Sequence, residues 1–235
     1  MKSSSSGPYS LADLHVHSSV SDGRPSPAEL VEEARRRGLG VLSVTDHNTF
    51  KGSVLASTYA RARGLGDDVL VVYGSEVRTD IGDILVYCEE PLATLPRAWV
   101  ELMDEAEENG CLTVAAHPFD LSRMGVGSRI YEIARHLDAI ECYNAQTFSR
   151  LNERARSASL VLGKPCIASS DAHVLSYVGV YSSEFPSKPE SVGEALELIR
   201  RGKLRLRLRK ASSTALLERI AWSVVRELRG FGGDL

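Results

Sequence analysis

Residues 13–23, DLHVHSSVSDG, set His15 and His17 one residue apart in an apolar run and follow them with Asp22. Alternation along a strand sends both imidazoles to one face and Leu14 and Val16 to the other. Such a pair at a strand end serves either as ligands or as a wet sheet rim. The same residue types recur where later apolar runs end: Asp46-His47, Glu76, His117-Pro118, Glu141 with Asn144, and Asp171-Ala172-His173. Five of the six histidines lie at such ends, while His136 falls late in a helical stretch and reads as a solvated or capping residue. Histidine with carboxylate and no thiolate is the ligand set of Zn²⁺, Mn²⁺ or Fe²⁺. Five histidines and up to five carboxylates exceed the needs of one ion, so two or three ions sharing carboxylates are predicted. Buried without ions, such a cluster would be costly. A rim of this kind suits phosphoester hydrolysis, because metals neutralise phosphate oxygens, generate hydroxide near neutral pH and stabilise the leaving oxygen.

The elements that must position these residues alternate. Apolar runs at 11–16, 40–45, 69–77, 112–116, 139–143 and 165–169 read as strands. Helical periodicity fills the stretches between several of them. SPAELVEEARRRG carries Ser26 as N-cap, Pro27 at the first helical position, Glu29 to complete a capping box and Gly38 as the stop. Further helices are predicted from Pro96 to Asn109, from Ser128 onward, from Ser149 to Leu162, and over 189–201 and 213–229; the last would bury Leu216, Leu217, Ile220, Val224 and Leu228. Residues 73–88 read as a hairpin with its turn between Asp80 and Asp83. Fully apolar strands alternating with helices predict parallel strands covered by helices, as a barrel or a doubly wound sheet. In either, strand C-terminal ends share one rim, so the scattered polar residues converge.

The chain of 235 residues can build a substantial core, and its net charge of −3 predicts no general affinity for nucleic acid. Cys88, Cys111, Cys142 and Cys166 form no CxxC pair and read as scattered thiols of a reducing compartment. The opening MKSSSSGPYS has no apolar core of a signal peptide and reads as a disordered tail over 1–10; no stretch reaches a membrane span, so a cytoplasmic location is predicted.

DLHVHSSVSDG, VTDHN, GSE, AHP and SDAH together resemble the PHP superfamily, the polymerase and histidinol phosphatase domains, in order and spacing from about Ala12 to about Arg205. The resemblance implies an α/β single domain, a distorted (β/α)7 TIM-like barrel over 11–210, with residues 211–235 as a C-terminal helix packed on it. It implies that His15, His17 and Asp171 hold one ion and that Glu76 bridges to a second bound by His117. Asp22, His47 and His173 would hold a third, with Asp46 orienting or ligating beside them. A rim Asp or His, from Asp46, His47 and His173, would protonate the leaving group. The chain departs from the family in two places. The segment ECYNAQTFSR lacks the histidine that completes the second metal in many relatives, and Asp83-Ile84-Leu85-Val86 stands where some carry a hairpin histidine. The second ion is then weakly held, completed by Asn144 or water, or absent.

For a phosphate substrate, Arg123 and Arg150 are the best-placed cations, with Asn144 nearby and Arg24 a weaker choice. In RRGKLRLRLRK, alternation puts Arg205, Arg207 and Arg209 on one strand face, as a charged protective edge or as a contact for nucleic acid. The leading expectation is a metal-dependent phosphoesterase that uses a metal-bound hydroxide on a small phosphorylated metabolite or nucleotide. The alternatives are an exonuclease acting on nucleic-acid ends and a non-catalytic metal-binding module supporting a partner. Multimetal barrels also cleave amides, but no lysine follows a strand to serve as a carboxylated bridge.

Overall fold

A computed structural model describes residues 9–230, so the tail expected over 1–10 lies, up to residue 8, outside the described residues, as do 231–235. In chain order come β1 Ser10–Val16, α1 Pro27–Arg37, β2 Leu39–Val44, α2 Lys51–Ala62, β3 Leu70–Thr79, β4 Gly82–Cys88, α3 Trp99–Glu108 and β5 Leu112–Ala115. There follow α4 Ile130–Ile133, β6 Ala139–Asn144, α5 Ser149–Leu162, β7 Cys166–Ser169, β8 Tyr181–Phe185, α6 Val192–Arg200, β9 Arg205–Leu208 and α7 Ser213–Leu228. The strands form one sheet in the order β7-β6-β5-β4-β3-β2-β1-β8-β9. β1, β2 and β3 are mutually parallel, as are β5, β6 and β7, and β4 runs against both of its neighbours.

The sheet curls until its two arms meet. The His17 N–H donates to the Ala172 carbonyl at 2.9 Å, and the Ser183 hydroxyl bridges the Ala168 N–H and carbonyl, each at 3.0 Å. Asp13 completes the seam: its carboxylate accepts from the Ser170 N–H at 3.0 Å, the Ser170 hydroxyl at 2.5 Å and the Gly179 N–H at 2.7 Å. Burial pushes this carboxyl up to about 6 against the pull of those donors. The barrel interior is one apolar cluster that takes residues from each of β1 to β8, among them Leu14, Val41, Val72, Tyr87, Val114, Ile167 and Phe185. α6 closes it with Ala195, Leu196 and Ile199. Outside, α1 and α2 pack on β1 and β2, and α3, α4 and α5 cover β3 to β6. The chain is therefore an α/β single domain with a nearly closed, distorted barrel.

Several elements follow their sequence signals. α1 has both arms of its capping box and ends on Gly38 in the left-handed conformation, and α5 ends on Gly163 in the same way. The hairpin turn is Asp80-Ile81, between paired Thr79 and Gly82. Others depart from expectation. The helix expected from Ser128 is a broken series of 3-10 turns around the short α4. α2 and β8 carried no sequence signal: α2 buries a face of Gly52, Ser53, Ala56, Ser57 and Ala60, small enough to approach the sheet without an apolar stripe. The cysteines are paired, not free: Cys88 with Cys111 and Cys142 with Cys166. Each pair joins neighbouring strands or their ends, a proximity that spacing in sequence does not show.

Two corrections bear on the site. Leu14 packs in the barrel interior while Val16 packs under α1 and α2, so they do not share a face. A register shift between Asp13 and Val16 is the cause, a bulge that aims His15 and His17 at the rim. α7 is turned over relative to expectation: Leu216, Leu217, Ile220, Val224 and Leu228 are 41–82 % exposed, and Ala215, Arg219, Trp222 and Arg226 face inward. Among the described residues, no helix is long and apolar enough to cross a membrane.

Because Asp13 accepts from three donors at the seam, Asp13→Ala should destabilise the fold by about 3 kcal/mol, the cost of stranding buried donors. Urea unfolding checks this; a midpoint unchanged from the parent protein would show that the seam does not depend on the carboxylate.

Candidate metal centre

The C-terminal ends of the strands bring the predicted residues together around Glu76. From the hairpin strand β3 its carboxylate lies 3.3 Å from His15 Nε2, 3.2 Å from His17 Nε2, 3.3 Å from His47 Nδ1 and 2.9 Å from His117 Nε2. His173 stacks on His17 with ring centroids 4.3 Å apart and reaches Asp22 Oδ2 at 3.1 Å. Four overlapping groups have ligand atoms close enough to hold an ion: His17, Asp22, His47 and His173; His15, His17 and Glu76; His15, His117 and Asp171; and Glu76, Asp83 and His117. Apart from His47, with a side chain 10 % exposed, these residues are buried.

Burial alone would raise the carboxyls of Asp22, Glu76 and Asp171. Facing groups overcome it, chiefly His173 for Asp22, His15 for Glu76 and Arg123 for Asp171, and all are held well below the ordinary range as carboxylates. Burial and the charge of His173 push His17 down to about 4, which leaves the neutral imidazole that ligates metals. Burial also lowers His47, but Glu76 and Asp22 bring it up to about 8. His17 Nδ1, His47 Nδ1, His117 Nδ1 and Asp171 Oδ1 are buried without a hydrogen bond. Unpartnered imidazole and carboxylate atoms converging on anionic side chains fit divalent cations, and the donor set of nitrogen and oxygen fits Zn²⁺, Mn²⁺ or Fe²⁺.

A surrounding layer fixes these side chains. Glu141 accepts from His15 Nδ1 at 2.9 Å, from the His117 N–H at 2.7 Å, from Asn144 at 3.0 Å and from the Ser169 hydroxyl, so one carboxylate fixes the His15 imidazole and the backbone that carries His117. Asp46 accepts from the Ser18 N–H at 2.8 Å and from the Ser18 and Ser21 hydroxyls, both at 2.6 Å, and so holds the loop that carries Asp22. A β-carbon on Gly52 would lie 1.7 Å from Asp46 Oδ2, so the second residue of α2 must be one that has none. His117 and Asp171 have φ of 28° and 53°, left-handed conformations that cost roughly 1–3 kcal/mol each and recur where function over-determines the backbone.

The structure thus places His15, His17, Asp22, His47, Glu76, His117, Asp171 and His173 in one cluster. Asp46 stands behind it with both oxygens engaged, an orienting position. Asn144 donates to Asp171 at 2.9 Å and accepts from Arg123 at 3.3 Å, so its amide is spent on positioning. Arg123 is seated on Asp171. Arg150 is exposed on the first turn of α5, and among the described residues no bond ties it to the cluster. Arg24 pairs with Glu218 at 3.0 Å. On β9, Arg205 lies over Tyr9 and Arg207 lies 3.8 Å from Glu184, two strands away from β1 in the sheet. Sequence reasoning missed Asp83, which fills the hairpin position where a histidine was sought, and gave Glu141 no role. It also passed over Gln146, which bonds the Asp171 carbonyl and lies 3.1 Å from His173 Nδ1.

Residues 13–120 match the PHP domain and residues 149–204 the PHP-associated domain. An uncharacterized protein of Methanocaldococcus jannaschii is 31 % identical over 148 residues, which span 57 % of this chain and 81 % of that one. The 5′-3′ exoribonuclease of Haemophilus influenzae is 40 % identical over 68 residues, 29 % of this chain and 23 % of the relative. A crystal structure from Bacteroides vulgatus, of a two-domain protein described as containing a "predicted PHP-like metal-dependent phosphoesterase", superposes with a TM-score of 0.70 at 20 % identity, covering 86 % of this chain and 65 % of that one. The chain belongs to the PHP superfamily.

If Asp83 and His117 hold the same ion, Asp83→Ala and His117→Ala should each remove the same share of bound metal, and the double variant no more. Elemental analysis by mass spectrometry checks this, and additive losses would separate the two residues. Glu141→Gln should weaken metal affinity about 10–100-fold through its hold on His15 and the His117 loop. Titration against a competing chelator reads that change, and parental affinity would remove Glu141 from the site.

Proposed function

We propose that the chain is a metal-dependent phosphoesterase that hydrolyses a phosphate ester of a small metabolite or nucleotide. The observation that carries this reading is the sharing of His15, His17, His117 and Glu76 between overlapping ligand groups, an arrangement suited to neighbouring ions around one carboxylate. His17, Asp22, His47 and His173 would hold one ion; His15, His117 and Asp171 with Glu76 and Asp83 would hold one or two more. Divalent ions bound there supply charge neutralisation for the phosphoryl group and activation of water near neutral pH.

The chain's own residues do the rest. His47, the most exposed member, marks the side from which an ester approaches. Arg123, seated on Asp171 at the edge of the cluster, is placed to bind phosphoryl oxygens with its planar fork. Asp46, with Ser18 and Ser21, holds the Asp22 loop, and Gln146 holds the segment from Asp171 to His173. The names of the exoribonuclease relative and of the phosphoesterase neighbour both concern phosphate esters, which supports the substrate class. The former also favours a second reading, removal of terminal nucleotides.

A substrate panel with Mn²⁺, Zn²⁺ or Fe²⁺ restored tests the proposal, comparing p-nitrophenyl phosphate, nucleoside monophosphates and a labelled oligonucleotide. We expect monophosphate turnover, and a loss of at least about 10²–10³-fold in the His15→Ala, His17→Ala variant. Equal activity in that variant would overturn the site assignment, and turnover confined to the oligonucleotide would replace the small-ester reading with the nuclease one.

A further inference from the structure

α7 lies outside both family-matched stretches, yet its inward face reaches the cluster. Arg226 Nη1 is 2.6 Å from Asp22 Oδ2, the same oxygen that His173 Nε2 approaches. One turn earlier, Trp222 donates its indole N–H to the Asp22 carbonyl at 3.0 Å. A further turn back, Arg219 donates to Gln146 Oε1 at 3.4 Å, and Gln146 in turn bonds the Asp171 carbonyl. Arg219 Nε is buried and makes no hydrogen bond. Seven residues apart, the two arginines lie on one helix face.

Together with Arg123 on Asp171, Arg226 on Asp22 gives the cluster a guanidinium at each of its two outer carboxylates. Those carboxylates are also members of the groups fit to hold divalent ions. A cation that takes up the charge of Asp22 weakens the hold on Arg226, and the next anion within reach is a phosphoryl group at the same ions. Of the helix's described side chains only Ala215 is buried, Trp222 packs partly buried against the core, and the apolar stripe faces outward.

We propose that α7 is a phosphate clamp over this site, in which Arg226, assisted by Arg219, binds the phosphoryl oxygens of the substrate. The clamp rests on the reading of the site as one for phosphate esters. It favours a phosphomonoester, whose dianionic terminal group has three oxygens to share between Arg123 and Arg226, over a singly charged internal diester.

The test uses the full chain loaded with Mn²⁺, with inorganic phosphate as the probe in isothermal titration calorimetry. Arg226→Ala should raise the Kd for phosphate at least tenfold and Arg219→Ala about threefold, with metal content unchanged; Arg226→Lys should recover part of the loss, and Arg226→Gln should match Ala. With p-nitrophenyl phosphate, Arg226→Ala should raise KM by the same factor and change kcat far less. Phosphate affinity within twofold of the parent protein, or a fall in metal content that accounts for the loss, overturns the clamp and leaves the phosphoesterase reading standing. A parent protein that binds phosphate through Arg226 but turns over no ester keeps the clamp and overturns the catalysis. A parent protein that binds no phosphate overturns the clamp outright.

Discussion

Glu76 is the fixed point of the structure. A buried carboxylate is tolerated only where cations or donors surround it, and four histidines from the ends of three strands, or the turns after them, do so at 2.9–3.3 Å. That demand sets much of the architecture. β3 must run on past the end of β2 to carry Glu76 to the rim; the Glu76 N–H donates to the Thr45 carbonyl, and the Glu76 carbonyl accepts from the Asn48 N–H. β3 then turns straight into β4, which brings Asp83 alongside. The reversal of β4 within an otherwise largely parallel barrel is thus tied to the two acids its hairpin delivers.

Holding so many ionisable groups in one buried space needs a frame that does not yield, and the frame is polar. Asp13, Asp46 and Glu141 are fully buried, and each accepts from backbone N–H and hydroxyl donors next to the cluster, Glu141 from His15 and Asn144 as well. Asp13 ties β1 to the segment just before Asp171, Asp46 ties the Asp22 loop to the end of β2, and Glu141 ties β6 to β1 and to the turn after β5. The left-handed conformations at His117 and Asp171 are affordable because these anchors over-determine the two turns.

Most of the clustered residues were legible in the sequence because they fall at or soon after the ends of apolar runs, and a parallel fold makes those ends neighbours; Asp83, on the hairpin, was not. The frame was less legible. Asp13 and Glu141 look like polar interruptions of strands, and their roles depend on residues far along the chain, such as Ser170 and His15. β8 escaped notice because YSSEF is half polar, yet Ser183 is buried to close the barrel with its hydroxyl. α2 escaped because its buried face is built of small residues. The bulge in β1 also broke the simple alternation read from DLHVH, although both histidines still reach the site, since the extra residue falls before Val16.

α7 departs furthest from its pattern, and its orientation follows from the same central charge. Amphipathicity alone would bury Leu217, Ile220, Val224 and Leu228. The surface the helix meets is instead the mouth of an anionic cluster, with the Asp22 carboxylate and carbonyl and the Gln146 amide as its acceptors. A charge-assisted bond to a buried carboxylate contributes roughly 1.5–3 kcal/mol, comparable to burying one large aliphatic side chain, and an apolar face laid on that mouth would strand the acceptors. Against a rim of anionic and carbonyl oxygens the arginine face has the advantage, and the apolar stripe is left facing out. Periodicity predicts which residues of a helix share a face; the charge of the surface beneath decides which face is buried.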